Sequence, residues 1–147
     1  AARMHKRKHR IYVLMGDGEC QGGIVWEAAM SAAKFHLANL TAILDYNDVQ
    51  LDGPVHEISP SEPLAERWRT FNWHVIEING HNIRQVVEAL ELAQEIHHQP
   101  TLIIAHTTKG KGVSYMENDY RWHGAVPKKE QFEKALAELG GEEVTHG

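Results

Sequence analysis

Two short stretches about thirty residues apart carry the residue types that hold a hard cation against a diphosphate. One is Met15-Gly16-Asp17-Gly18-Glu19-Cys20-Gln21-Gly22-Gly23. The other is Leu44-Asp45-Tyr46-Asn47-Asp48-Val49-Gln50-Leu51-Asp52-Gly53. Asp17 offers an anionic carboxylate oxygen and Asn47 a neutral amide oxygen. The backbone carbonyl of Val49 adds a third where the chain must turn. Magnesium prefers octahedral oxygen ligands and often takes few from protein, the rest from phosphate and water. Gly18, Gly22 and Gly23 permit close backbone approach, and free N–H groups at the start of a following helix favour an anion. Either stretch alone reads as an ordinary turn or cap. The pair, in this order, points to a magnesium–diphosphate cradle.

The elements around them give both stretches the same address. Ile11-Tyr12-Val13-Leu14-Met15 is a short apolar run stopped by Gly-Asp-Gly, the pattern of a buried parallel strand. Residues 24–37 place Ile24, Val25, Ala28, Ala29, Ala32, Ala33 and His36 or Leu37 at helical spacing. Thr41-Ala42-Ile43-Leu44 is the next strand. Strand, helix and strand within about 35 residues form a βαβ unit with a right-handed crossover. Asp17 and Asn47 therefore stand at the carboxyl ends of two parallel strands, where open α/β sheets bind ligands.

These residues resemble the thiamine diphosphate enzymes, whose motif is GDG followed roughly thirty residues later by Asn. Within them the chain resembles the amino-terminal, diphosphate-binding part of transketolases. The similar wording runs in order through GDGECQ, VWEAAMSAAK, NLTAILDYNDVQLDG, PLAERWRTFNWHVIEINGH, PTLIIAHTTKGKGVS and WHGAVP, from about Tyr12 to Gly140. It is most similar to the small amino-terminal subunit of split transketolases. The resemblance implies that Asp17, Asn47 and the Val49 carbonyl bind a divalent cation (magnesium, or calcium or manganese). It implies that the backbone of Gly18 meets the diphosphate of thiamine diphosphate and that Leu51 packs against the cofactor's rings. His123, as the catalytic residue implied, reaches the diphosphate and the edge of the substrate channel. The segment from about Asn47 to His56 would order over the cofactor, and Glu27 would join an acidic network at a dimer interface. One departure stands out: Gly22 occupies the place of the family's Glu, so weaker coupling between sites or slower cofactor activation is expected.

The same resemblance implies transfer of a two-carbon ketol unit between sugar phosphates. The pyrimidine-activating Glu would come from a separate carboxy-terminal part or subunit, in a homo-dimer or hetero-tetramer, and this chain alone would be silent. Two alternatives stay open: another thiamine diphosphate enzyme (a deoxyxylulose-phosphate synthase or 2-oxo acid dehydrogenase), or a non-catalytic magnesium–diphosphate binding fragment. The fold expected is α/β, a doubly wound, mostly parallel sheet with helices on both faces. Residues 1–147 would form part of one diphosphate-binding domain, incomplete on its amino-terminal side.

With 147 residues, a single domain with a real core is expected. The net charge of −5 is uneven: Arg3, Lys6, Arg7, Lys8 and Arg10 make the first ten residues +5, and the remainder is −10. An acidic body argues against nucleic acid as the main partner. The basic start reads as the tail of a helix rather than as a binding arm. No apolar run approaches the roughly 18 residues of a membrane span, so no membrane partner is expected. Cys20 is the one cysteine, which suits a reducing cytoplasm; it reads as a small filler rather than a nucleophile.

The rest of the chain continues the alternation. Gly53 to Pro63 reads as a Pro-punctuated loop, Leu64–Phe71 as a short helix with Trp68 and Phe71 in the core, and residues 73–78 as a strand. Asn82 and Gln85 open a helix with a capping-box-like pair. Its apolar face would carry Ile83, Val86, Val87, Leu90, Ala93 and His97, with His97-His98 at its close. Thr101–Ala105 is a buried strand. The Thr107-to-Gly112 loop either faces the anionic site or is a solvated connector. A helix over 130–139 turns Phe132, Leu136 and Leu139 inward, Gly140-Gly141 stop it, and the acidic tail is expected to be disordered. Eleven histidines invite a metal site, but His36, His74, His81 and His106 lack zinc-ligand spacing.

Overall fold

Strands packed on both faces are rich in apolar residues, and four segments follow that pattern, most fully the central Thr101–His106. The computed structural model describes residues 1–2 and 4–140. In it β1 (Ile11–Gly16), β2 (Leu40–Tyr46), β5 (His74–Asn79) and β6 (Thr101–His106) form one parallel sheet in the order β1-β2-β6-β5. The register aligns Met15 with Leu44, Leu44 with Ile104, and Ile104 with Glu77. All four carboxyl ends therefore reach one edge, at Gly16, Tyr46, Asn79 and His106. Thr101 to Ala105, in a central strand, are all buried.

Helices cover both faces, as expected of a doubly wound sheet. On one face α1 (Gly23–Lys34) and α3 (Leu64–Thr70) bury Ala29, Ala32, Leu64 and Trp68 against Met15, Leu44, Leu102 and Ile104. On the other, α4 (Ile83–Glu95) packs Val86, Ala89 and Leu90 against Ile43, Ile103 and Ile78. Trp68 anchors the first face, with its ring 4.7 Å from Trp73 and 5.4 Å from Trp26. β1 is an edge strand, and Leu14 on it is 72 % exposed.

Several expectations are corrected. α1 stops three residues short of residue 37 because His36 takes a left-handed conformation (φ 48°). Its neighbour Leu37 donates back to the Ala32 carbonyl at 3.0 Å, a Schellman closure usually given to glycine. On that helix Ile24 is exposed rather than packed. α4 ends at Glu95, so His97 and His98 lie beyond it, and Ile83 and Val87 face solvent while Ala89 takes the core position. Only half of its capping box forms. Asn82 accepts from the Gln85 N–H, but the Gln85 side chain reaches back to the N–H of Asn79.

The Pro-punctuated loop contains structure. β3 (Val49–Gln50) and β4 (Gly53–Pro54) make a small antiparallel hairpin, followed by one helical turn, α2 (Val55–Ile58). α5 (Lys129–Glu138) buries Ala135, whereas Phe132 and Leu139 are exposed. It braces the 112–122 loop rather than the sheet, through Ser114 to Glu138 and Tyr115 to the Gln131 carbonyl at 2.6 Å. The basic start is not helical: residues 4–6 turn, and Arg10 donates to the carbonyls of Ala38 and Ala93. The acidic tail, 141–147, lies outside the described residues. Among the described residues no helix is long and apolar enough to cross a membrane.

Trp68 is 2 % exposed at the junction of two aromatic contacts. Trp68→Ala should cost about 3–5 kcal/mol, the range for emptying a buried aromatic site. Urea unfolding should show a lower midpoint at unchanged slope.

Candidate functional site

β1 ends at Gly16, and the chain enters a 3-10 turn over Asp17–Gln21 before α1 begins. That turn points the Asp17 carboxylate inward, where it is 1 % exposed. Its Oδ1 accepts the N–H of Gly18 at 2.8 Å and its Oδ2 the N–H of Asp48 at 2.6 Å. The second bond joins the loop after β1 to the loop after β2, so the two sequence motifs meet. Burial raises the Asp17 pKa above its ordinary 3.8; the two N–H donors oppose the shift, and the nearby Asp48 and Asp45 carboxylates add to it. No basic side chain pairs with Asp17 among the described residues.

Asn47 sits just past the end of β2 with both ends of its carboxamide engaged. Oδ1 accepts the Val49 N–H at 2.9 Å, and Nδ2 donates to Asp45 Oδ2 at 2.9 Å. Val49 is placed by the hairpin. The N–H of Val55 bonds the carbonyl of Asp48 at 3.0 Å, so the next pair, Val49 with Pro54, is the non-hydrogen-bonded pair of the ladder. The peptide groups of Val49 then point away from Pro54, to the side where its N–H already meets Asn47. Asp48 locks the hairpin base, accepting from the His56 N–H at 3.0 Å and from the His56 ring. Leu51 is at the hairpin tip and 66 % exposed.

Gly18 lies under this hairpin. A Cβ there would stand 3.1 Å from Gln50 Oε1 and 3.3 Å from Gln50 Cβ, so a side chain at 18 would make Gln50 give way by a few tenths of an ångström. The Gly18 N–H is already used by Asp17, and an incoming phosphate would compete with that bond. Cys20 is 1 % exposed, and burial, with the charges of Asp17 and Glu19, pushes its thiol up to about 12. A thiol so suppressed is packing, not a nucleophile. Gly22 has φ −78° and ψ 127°, which any residue adopts, and Glu27 is exposed on α1. The backbone thus does not demand glycine at 22.

His123 stands apart from this cluster. It caps a 3-10 turn, Tyr120–Trp122, held by Asp119, whose side chain accepts from Arg121, and by Trp122 stacked edge-on to Tyr115 at 5.1 Å. Its side chain is exposed and bonds to none of Asp17, Asn47 or Asp48. The Lys- and Gly-rich loop does border the strand ends. A cavity of about 450 Å³ is lined by Asp45, His81, Thr107, Thr108 and Lys109, and His81 Nε2 accepts the Thr108 N–H at 2.7 Å. Sequence reasoning missed Asp45, Thr107 and the Asp48–His56 lock. Asp45 lies only two residues before Asn47, and that spacing was its one signal.

Among the described residues no three His, Cys, Asp or Glu side chains converge as a metal-binding group. The loops after β1 and β2, joined by the Asp48-to-Asp17 bond, carry one buried carboxylate at Asp17 and neutral oxygens at Asn47 and Val49. A buried carboxylate with no basic partner, beside neutral oxygens, is a donor set that suits a hard divalent cation.

Comparison with known proteins shows the family. The model of the family "Transketolase, thiamine diphosphate binding domain" matches residues 3–145. An apulose-4-phosphate transketolase subunit from Phocaeicola vulgatus is 43 % identical over 139 residues, which are 95 % of this chain and 50 % of that relative. The 6-deoxy-6-sulfo-D-fructose transketolase subunit SqwG of a Clostridium species is 42 % identical over the same shares. The chain thus spans about half the length of these curated relatives. Human transketolase is 37 % identical over 91 % of this chain and 21 % of its own. The crystal structure of transketolase from Campylobacter jejuni superposes with a TM-score of 0.87 at 35 % identity, over 92 % of this chain and 21 % of that one. The chain belongs to the thiamine diphosphate-binding domain family of the transketolases.

Proposed function

We propose that this chain is the magnesium–diphosphate-binding part of a transketolase that moves a two-carbon ketol unit between sugar phosphates. The observation that supports this reading is the hydrogen bond from the Asp48 N–H to Asp17, which joins the loop after β1 to the loop that carries Asn47 and Val49. Asp17, Asn47 and the Val49 carbonyl hold the cation, which is magnesium, or calcium or manganese in its place. The backbone of Gly18 contacts the diphosphate, and the exposed Leu51 offers an apolar surface to the cofactor's rings. His123, on its braced turn, serves the diphosphate and the channel edge. Bound thiamine diphosphate supplies the carbon nucleophile that ketol transfer requires. The two split relatives are named for sugars bearing a phosphate or sulfonate group, which supports an anionic sugar as substrate.

A carboxy-terminal subunit supplying the pyrimidine-binding part completes the site, in a homo-dimer or hetero-tetramer. Glu27 belongs to the contact between copies, and Gly22 weakens communication there. A cytoplasmic setting fits the single buried cysteine.

Calorimetric titration should show thiamine diphosphate binding only with magnesium, and Asp17→Ala should abolish it. Binding that ignores magnesium or survives the substitution overturns the assignment. Ketol transfer should appear only on adding the carboxy-terminal subunit; turnover by the pure chain would sink the split-site reading.

Acid should weaken cation binding at a higher pH than an unburied aspartate would require. Burial raises the Asp17 pKa, so the metal-free fold favours the neutral acid. This group's contribution to metal-free stability is full below pH 3.8 and is lost as pH rises through the raised value. A bound cation reverses the preference. Manganese affinity measured from pH 7 downward should fall before pH 3.8 is reached, and a flat profile to that point would contradict the role of Asp17.

Gly18→Ala should press on the Gln50 side chain and loosen its hold on the hairpin, at a cost of no more than about 1 kcal/mol. Hydrogen exchange should accelerate at the amides of residues 49–54; wild-type protection there would disprove the contact.

A further inference from the structure

Asn47 can present either end of its carboxamide to the cation loop, and only the oxygen end is useful to a cation. A carboxylate accepts hydrogen bonds and cannot donate them, whereas a carboxamide has a donor end and an acceptor end. Asp45 Oδ2 receives the Asn47 NH₂ at 2.9 Å. That contact turns Asn47 Oδ1 the other way, to the Val49 N–H at 2.9 Å, while the N–H of Asp48 between them ties this loop to Asp17. We infer that Asp45 is the positioning residue that fixes the orientation of the Asn47 carboxamide, and that Thr107 clamps Asp45 from the neighbouring strand.

The clamp is itself built. Thr107 Oγ1 donates to Asp45 Oδ1, leaving Asp45 Oδ2 for Asn47. The Thr107 N–H donates to the Tyr46 carbonyl at 3.1 Å, which ties the end of β6 to the end of β2. Gly80, after β5, crowds the Thr107 methyl so closely that a Cβ there would lie 2.5 Å from it. The side chain of Thr107 is thus caught between Gly80 and Asp45. Three strand ends converge on the rotamer of one carboxamide. Outer-shell partners of this kind orient metal ligands, and losing one lowers metal affinity about 10–100-fold.

The inference rests on the proposed cation site, and the test separates the two. Manganese binding to the 147-residue chain is followed by electron paramagnetic resonance, for the wild type, Asp45→Asn, Thr107→Val and Thr107→Ser. An Asn at 45 both donates and accepts, so it no longer excludes the flipped amide. Asp45→Asn should bind manganese about 10–100-fold more weakly. Thr107→Val should weaken it in the same direction, and Thr107→Ser, which restores the hydroxyl, should bind as wild type. Nuclear magnetic resonance of the metal-free wild type should show a held Asn47 carboxamide whose protons exchange slowly; in folded Thr107→Val they should exchange faster. Failure of the wild type to bind manganese overturns the cation site and this inference with it. Binding by the wild type and equally by Asp45→Asn overturns the positioning role alone. Should Asp45→Asn fail to fold, Thr107→Val decides, since it keeps the side-chain shape. A freely rotating Asn47 amide in the wild type overturns the inference whatever the variants do.

Discussion

Parallel pairing is the constraint on which the rest of this structure depends. Four strands running the same way in tight register must end together, and they do, at Gly16, Tyr46, Asn79 and His106. Each strand end releases a loop with unpaired backbone groups that need partners. Those loops are adjacent because the strands are adjacent. The polar side chains that satisfy them are forced into one small region, however far apart they stand in sequence. The apolar faces enforce the alignment, since sliding one strand by a residue would turn Leu44 and Ile104 away from Trp68 and Ala29.

The loops then fasten one another. The Asp17 carboxylate takes the N–H of Asp48, the Thr107 hydroxyl takes Asp45, and the Thr107 N–H takes the Tyr46 carbonyl. Few of these bonds follow strand or helix ladders, so the site is rigid through side-chain-to-backbone contacts rather than through secondary structure. The 48–56 hairpin is the thinnest part. It has two residue pairs and an exposed tip, and Asp48 with His56 closes its base. Weak local stability is expected of a segment that must admit a ligand.

The sequence exposed the βαβ frame and the adjacency of the loops after β1 and β2 because both depend on period and order. Apolar runs bounded by Gly-Asp-Gly or Asp-Tyr-Asn have few other meanings. It failed where tertiary context chose between equals. Ile24 and Ile83 are as apolar as Ala29 and Ala89, yet the alanines are buried, because a helix packed closely on a sheet leaves room for small side chains at the contact. His36 ended α1 in a left-handed turn, a role that sequence assigns first to glycine or asparagine. The Asp45–Thr107 contact spans 62 residues and two strands, and only the register of β2 with β6 reveals it.

Three acidic residues crowd the same strand end, and the structure treats each differently. Asp45 is bonded by the Asn47 amide and the Thr107 hydroxyl. Asp48 has the His56 ring and backbone. Asp17, the most buried of them, has two backbone N–H groups as its hydrogen-bond partners among the described residues. Charge left without a basic partner in a buried place is costly, and a fold has simpler ways to end a strand. Serine or asparagine at 17 would meet the same backbone donors without the charge. The cost becomes intelligible if a cation completes the balance, because the energy withheld from the empty chain is then available to binding. The neutral oxygens of Asn47 and Val49 fit that division. They would add no further repulsion at a strand end where the Asp48 and Asp45 carboxylates already act on Asp17.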